Sequence, residues 1–395
     1  MDMLTDTTHN ADDILAVAPE VIVADSRIRD LRHRDPSKEG TLVIAGFFGR
    51  GNAGDEAMLQ VLFEVFSPRF RIVICVDEYG AYPGFWDWYP YNEAIIAHQN
   101  RFELIKSIAD PVGVLVGGGG LAVGFAAAQV FIARTQQLPT ALAGVDIFEL
   151  HKHPRAAPVL RTWLGLFDQV IPRTSRSESV MRALDMPSLH GGDWALRLAA
   201  DVAPDVTVDD HRALVVLRED VLGEAGNDYR AGMRDLLSQL AACGYGPVFL
   251  PFSPEDERFL TTQGLVDGIP VERAWWNARR LKQLIASSGL TVTVGRLHPM
   301  VFAAPTGRDV ASIRPPHWIG KRAAGMSKLT DMGKELGIDQ FESVGDFGLA
   351  LRAGKIRPAQ TSQVEAALAR VDTALDALHT LFAEYVPRAV EPVVE

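Results

Sequence analysis

The chain has 395 residues, with 50 Asp and Glu against 39 Lys and Arg, a formal net charge of −11, and 47% hydrophobic and 23% charged residues. That length exceeds one average domain, and the composition is that of an ordinary globular protein able to bury large cores. With no long basic run to offset the acidic balance, a general nucleic-acid or membrane-surface binder is disfavoured. An anionic substrate then requires Arg, His and Lys gathered locally.

Residues 1–40 form a charged extension with room for one short element at Ile14–Ala24, and the ordered chain is expected to begin at Thr41. Apolar runs predict strands at Leu42–Ala45, Arg71–Val76, Val112–Val116, Thr140–Ala143 and Gln169–Ile171. Between them, helical spacing appears near 57–66, 101–108, 124–137, 156–166 and 177–184. Alternation of this kind implies βαβ units and a mostly parallel sheet.

The polar segment Asp201–Arg212 interrupts the pattern and marks a domain boundary. Beyond it come strands at Ala213–Leu217, Pro247–Leu250, Leu290–Val294 and Val310–Ile313, with helices near 229–242, 255–263 and 278–287. The expected division is an extension at 1–40, a first α/β domain at 41–205, a second at 206–360, and a final helix at 361–395. In that helix Val364, Leu368, Val371, Leu375, Leu378 and Phe382 recur every three or four residues, an apolar face that should pack, with the first domain as one partner.

Cys75 and Cys243 lie in or beside apolar stretches of different halves, with no partner at metal-ligand spacing, and read as reduced core residues. The acidic start Met1-Asp2-Met3-Leu4-Thr5-Asp6 is unlike a secretory signal, and no apolar run reaches the roughly 20 residues of a membrane span. A cytoplasmic protein that is not integral to a membrane is the expectation.

Ligands of parallel sheets bind at the carboxyl ends of strands, and four stretches occupy such positions. The first, Gly49-Arg50-Gly51-Asn52-Ala53-Gly54-Asp55-Glu56, turns from a strand into a helix start, where bare N–H groups and the helix dipole favour anions. Gly49, Gly51 and Gly54 also satisfy a dinucleotide fingerprint, with Asp77 after the next strand where a ribose-binding acid belongs. Asp55 and Glu56 count against a pyrophosphate there, and helix capping is their competing role. The second stretch is Gly117-Gly118-Gly119-Gly120-Leu121, whose backbone can approach a ligand closely. The third, Gly295-Arg296-Leu297-His298, sets a permanent forked cation beside a group that titrates near neutrality. The fourth is Arg173-Thr174-Ser175-Arg176-Ser177-Glu178 with the later Gly191-Gly192-Asp193-Trp194-Ala195-Leu196, in which Ser177 reads as a helix cap and Arg173 as the functional candidate.

Taken together, Gly-Asn-x-Gly-Asp-Glu, the glycine run ending in Leu121, Arg173 with Ser177, the Asp193-x-Ala195 segment and Arg296-Leu297-His298 leading into Val301-Phe302-Ala303-Ala304 resemble the polysaccharide pyruvyl transferase family over about residues 41–330. The chain departs from the family's pattern at Ala122-Val123-Gly124 and at Pro316-His317-Trp318-Ile319-Gly320-Lys321. The resemblance implies an α/β fold of two facing Rossmann-like domains, GT-B-like, with the active site in the interdomain cleft. It further implies an enzyme that moves pyruvate from phosphoenolpyruvate to a sugar or glycan acceptor as a cyclic ketal, releasing phosphate, with no cofactor besides that donor; no metal is expected, because the cations suffice and no His/Cys/Asp cluster has ligand spacing. By that analogy Arg173, Arg296, Leu297, His298, Lys321, Gly118 and Gly119 bind the donor. If protonated, His298 would also act as general acid; the base is assigned from position rather than from the resemblance, to Asp55 or Glu56, expected at the cleft mouth.

Asn52, Asp193, Trp86 and Trp88 are the acceptor-side candidates, the two tryptophans from the aromatic segment Tyr79–Tyr91, because aromatic faces stack on sugar C–H surfaces. Trp275 and Trp276 are placed opposite. The acceptor's form (polymeric, lipid-linked or small) and the oligomeric state are not encoded in any motif. The alternatives left standing are a nucleotide-sugar glycosyltransferase or epimerase of the same fold, an NAD-binding oxidoreductase, and a non-catalytic glycan-binding protein.

Overall fold

The computed structural model describes residues 29–76, 94–98, 104–120, 124, 126–147, 154–201, 207–218, 226–314 and 323–385. Within them the first sheet is built from β1 (Thr41–Gly46), β2 (Arg71–Val76), β3 (Ile95–His98), β4 (Pro111–Gly117), β5 (Thr140–Val145) and β6 (Gln169–Pro172), all parallel, in the order β3-β2-β1-β4-β5-β6. Its helices are α1 (Ala53–Phe66), α2 (Ala127–Thr135), α3 (Ala156–Leu164) and α4 (Ser175–Ala183), and a short 3-10 helix, Trp194–Arg197, follows. Every residue of β1 is buried, because helices cover both faces of the sheet. That is why the strands read in sequence as unbroken apolar runs without alternation.

The second sheet contains β7 (Asp209–Leu217), β8 (Gly246–Phe249), β9 (Ser288–Val294), β10 (Asp309–Ile313) and β11 (Asp339–Phe341), again parallel, in the order β11-β10-β9-β7-β8. Around it lie α5 (Gly226–Ala242), α6 (Pro254–Thr262), α7 (Ala278–Ala286), α8 (His298–Ala303), α9 (Ala323–Glu335) and α10 (Val344–Arg352). In each sheet the strand order reverses direction at one place, β1/β4 in the first and β7/β9 in the second. A crevice opens at such a reversal, since the following crossovers leave to opposite sides.

Several expectations need correction. Helix α1 starts at Ala53, four residues before the predicted start, because Asn52 caps it and accepts from Gly54 N–H; Gly54 in the first turn had hidden the helical pattern. Helix α4 is capped by Thr174, not by Ser177, which lies inside the first turn and accepts from Ile147 N–H at 2.9 Å. Of the helix expected at 101–108, the described part is a single 3-10 turn, Ile105–Ser107. Strands β3 and β11 were not predicted: the first has only four residues, and the second is a three-residue edge strand of which Asp339 and Gln340 are polar. Helices α9 and α10 were likewise missed, the latter because Gly345 and Gly348 lower its helical propensity.

The last helix, α11 (Thr361–Ala383), buries Val364, Val371, Leu375, Leu378 and Phe382, whereas Leu368 is only partly covered. It lies on the first domain. The Phe382 ring meets Phe66 edge-on at 6.1 Å and fills the space left by Gly113 in β4, where a Cβ would come within 2.6 Å of that ring. Phe382 is fully buried, so truncation leaves a cavity against α1 and β4. Phe382→Ala is expected to lower the unfolding free energy by about 3–5 kcal/mol in a urea titration; a loss under about 1 kcal/mol would mean that the helix is not part of the first domain's core.

Candidate active site

The glycine turn after β1 does not stand open to a ligand. Gly49 and Gly51 have φ of 81° and 70°, a left-handed backbone that turns neighbouring N–H groups inward. The group they enclose is the chain's own Glu56. Its carboxylate is fully buried and accepts from Gly49 N–H at 2.8 Å. Burial raises the Glu56 pKa well above the usual carboxylate value, against the opposing pull of the N–H groups of Gly49, Arg50 and Gly51. The first N–H groups of α1 are also taken: Ala53 donates across the domain boundary to the Phe252 carbonyl at 2.9 Å, and Gly54 to the Asn52 side chain at 3.3 Å. Glu56 is therefore a structural anchor, buried rather than at the cleft mouth, and the dinucleotide fingerprint is spent on internal contacts.

Gly54 has a different purpose. A Cβ there would lie 1.8 Å from Nδ1 of His298, so the absence of a side chain lets the imidazole of the second domain seat on the first turn of α1. The glycines after β4 act in the same way. A Cβ on Gly118 would strike Phe48, and one on Gly119 would come within 2.9 Å of Asp55 Oδ1. Gly118 and Gly119 thus admit protein side chains on the faces where the sequence suggested a donor.

Beside this turn, a buried ionic cluster lies at the carboxyl ends of β5 and β6. Arg173, just past β6 and 1% exposed, pairs with Asp146 after β5 and with Asp193 at 3.3 Å. Asp193 in turn caps the 3-10 helix through Ala195 N–H at 3.0 Å. Burial alone would raise both carboxyls. At Asp146 the contact with Arg173, reinforced by Lys328 and Thr174, overrides burial and holds the pKa below the usual value. At Asp193 burial prevails, because the guanidinium is farther away and Asp146 repels, so its pKa is raised. The Arg173 cation is stabilised further by its two carboxylates.

Asp55 is 4% exposed and accepts from Asn52 Nδ2 at 2.6 Å. Burial, partly offset by Arg173 and Lys328, raises its pKa to about 6. His298 lies with Nε2 3.5 Å from Asp193 Oδ2, a separation too long for a well-formed hydrogen bond. Burial and the nearby cations Arg173, Lys328 and Arg296 push its pKa well below the usual histidine value. His298 is consequently neutral near pH 7, which corrects the expectation of a protonated His298 acting as acid on a donor phosphate.

The second domain contributes cations. Arg218 directly follows β7, Arg296 lies two residues past β9, and Arg314 directly follows β10, so three neighbouring strands each deliver an arginine at the carboxyl end. Arg296 is braced by Ser253 Oγ at 2.9 Å and by Asp256. Lys328 on α9 lies within electrostatic reach of Asp146, Arg173, Arg218 and Asp55, and burial lowers its pKa.

The structure thus brings together Asn52, Asp55, Arg173, Asp193, Arg296, Leu297 and His298, with Glu56 behind them. Trp275 packs edge-on against Trp276 and lies within 3.0 Å of where a Gly51 Cβ would sit, so it closes the outer side of the turn. Trp86, Trp88, Asp77 and Lys321 fall outside the described residues. Sequence reasoning missed Asp146 and Lys328. Asp146 was findable, since it follows an apolar strand directly, as Arg173 does; Lys328 sits on an unpredicted helix and carried no signal.

No family model and no curated protein matches the chain. Solved structures do. The UDP-GlcNAc 2-epimerase from Methanocaldococcus jannaschii in complex with UDP-GlcNAc and UDP is similar over 84% of this chain and 99% of its own, at 11% identity and a TM-score of 0.54. The UDP-GlcNAc 2-epimerase from Neisseria meningitidis bound to UDP-GlcNAc is similar over 85% and 99%, at 13% identity and 0.51. The wall teichoic acid polymerase TagF is similar over 95% and 98%, at 11% identity and 0.52. The fold is GT-B-like.

These likenesses overturn the expectation of ketal pyruvyl transfer from phosphoenolpyruvate, since the similar structures are UDP-GlcNAc 2-epimerases and a wall teichoic acid polymerase. No described helix is long and apolar enough to cross a membrane.

A pH dependence follows from Asp55. Its folded-state pKa of about 6 exceeds the ordinary 3.8, so between these values the native state holds a proton that the unfolded chain has lost. Stability accordingly falls as pH rises through that window, and the cost is complete above it. Asp55→Asn removes the titration. Denaturant titrations should show the variant gaining on the parent by on the order of 2–3 kcal/mol from about pH 4 to about pH 7. A pH-independent difference would show that Asp55 is not a buried, strained carboxyl.

Proposed function

We propose that this chain acts on a nucleoside-diphosphate sugar, breaking the bond between the anomeric carbon and the diphosphate in the course of glycosyl transfer or epimerisation. The observation that carries the proposal is the polarity of the cleft. Three arginines, Arg218, Arg296 (paired with Asp256) and Arg314, follow neighbouring strands β7, β9 and β10 of one domain, and Asp55, Asp146 and Asp193 gather around Arg173 of the other. Strand spacing of about 4.8 Å spreads the three arginines over roughly 10 Å, the span of a diphosphate with its flanking oxygens. Guanidinium groups suit such a ligand because each fork pairs two oxygens.

In this reading the electron pair of the broken C–O bond leaves on the diphosphate, where the cationic wall stabilises the growing charge. The proton lost from an acceptor hydroxyl or from the sugar passes to the opposite wall. Asp55, with a pKa of about 6, is ionised at neutral pH yet basic enough to accept it. Asn52 fixes the orientation of that carboxylate. His298, neutral and 3.5 Å from Asp193, offers a second site for a proton. The likeness to structures that hold UDP-GlcNAc and UDP supports the same substrate class.

Thermal-shift titration with UDP, GDP, CDP and dTDP, followed by the matching sugar nucleotides, tests the reading. One diphosphate is expected to raise the melting temperature, equivalent to about 2.7 kcal/mol at a hundredfold excess over Kd. Asp55→Asn should keep that shift while slowing diphosphate release by about 100-fold or more. If the whole panel leaves the melting temperature unmoved, this function is wrong.

A further inference from the structure

Three consecutive residues join the ionic cluster to a second set of contacts on the far side of the same loop. Arg173 supplies the central guanidinium, Thr174 caps α4 and lies 3.5 Å from Asp146 Oδ1, and Ser175 donates its main-chain N–H to Glu335 Oε1 at 2.7 Å. Glu335 is the last residue of α9 and belongs to the second domain, so a carboxylate of one domain completes a helix start of the other. Its other oxygen is 3.5 Å from His190 Nε2 and 3.4 Å from Arg370 on α11. His190 Nε2 also lies 3.3 Å from the Arg173 carbonyl, and its Nδ1 is 3.8 Å from Glu178. Burial raises the Glu335 pKa, but the bonds from His190 and Ser175 outweigh it and hold the carboxyl below its usual value.

We propose that Glu335 is a positioning residue that pins α9 to the first domain and thereby holds Lys328 in the cleft opposite Asp146 and Asp55. Lys328 and Glu335 are seven residues apart on α9, two turns along one face, or about 10 Å. The helix lies against α4 and α11, so the pin and the ammonium are the two ends of one rigid strut. An exposed ion pair would contribute little to such an arrangement. Here the Glu335 and His190 side chains are only 13% and 15% exposed, and a main-chain donor is shared across the boundary. What Lys328 meets in the cleft, a sugar-nucleotide phosphate, rests on the function proposed above; the strut itself does not.

The test uses the full chain without ligand. Amine acetylation followed by mass spectrometry reads the access of Lys328, with the exposed Lys355 as internal control. Glu335→Ala is expected to speed acetylation of Lys328 about tenfold or more and to raise amide exchange at Ser175, with Lys355 unchanged. Glu335→Gln retains an acceptor for Ser175 and should fall between the two, which separates positioning from failure to fold. Unchanged labelling of Lys328 in Glu335→Ala overturns the proposal, as does equal acceleration at Lys355, which signals general unfolding. A second arm measures binding of whichever of UDP, GDP, CDP and dTDP stabilises the parent chain. Glu335→Ala and Lys328→Met should weaken it by similar factors, with the double variant no worse than either, and additive losses would also count against the strut. If the parent chain binds none of UDP, GDP, CDP and dTDP while labelling behaves as expected, the nucleotide assignment fails and the positioning role stands.

Discussion

The Arg173 guanidinium, removed from water and held between Asp146 and Asp193, is the interaction on which the rest of the site depends. A buried cation of this kind is tolerated only if its pairing is close and its neighbours are themselves anchored. Asp193 is anchored by capping a 3-10 helix, and Asp146 by its place directly after β5. The arrangement has an electrostatic result. One carboxyl of the pair is held ionised while the other, less well matched, is left easier to protonate beside a neutral imidazole. Asp55, at the edge of the same field, is moved toward neutrality without a partner of opposite charge in direct contact among the described residues.

Much of the fold was legible in the sequence. Parallel strands covered on both faces are apolar throughout, and they announced themselves at Leu42, Arg71, Val112, Thr140, Ala213 and Leu290. Edge strands obey a weaker rule. β11 needs no apolar face because only one neighbour holds it, and the sequence around Asp339 therefore gave no sign of it. Helix α9 was missed although Leu329 and Met332 on it are buried in the core, because these two apolar residues are set among Lys328, Thr330, Asp331, Gly333 and Lys334.

The site was legible at the level of position and illegible at the level of occupancy. Motifs at strand ends, including Arg173 and Arg296-Leu297-His298, converge in the cleft as their places in the sequence suggested. A glycine, however, signals only that space is needed, and the sequence does not say what fills it. At Gly49 and Gly51 the occupant is Glu56, at Gly54 it is His298, and at Gly119 it is Asp55. A short-motif resemblance inherits this ambiguity. The same residues that suggested a donor pocket are partly consumed in fitting two domains together, and the direction of the His298 shift could not be read without knowing how deeply it is buried.

The return of α11 to the first domain bears on how the chain is made. Phe382 fills the hollow above Gly113 in β4, so a core laid down early in synthesis stays incomplete until a residue more than 260 positions later has emerged. During that interval the second domain can form its own sheet, whereas the outer face of β4 and the end of α1 remain bare. Closure of the first domain's core is in this sense a late event of synthesis rather than an early one.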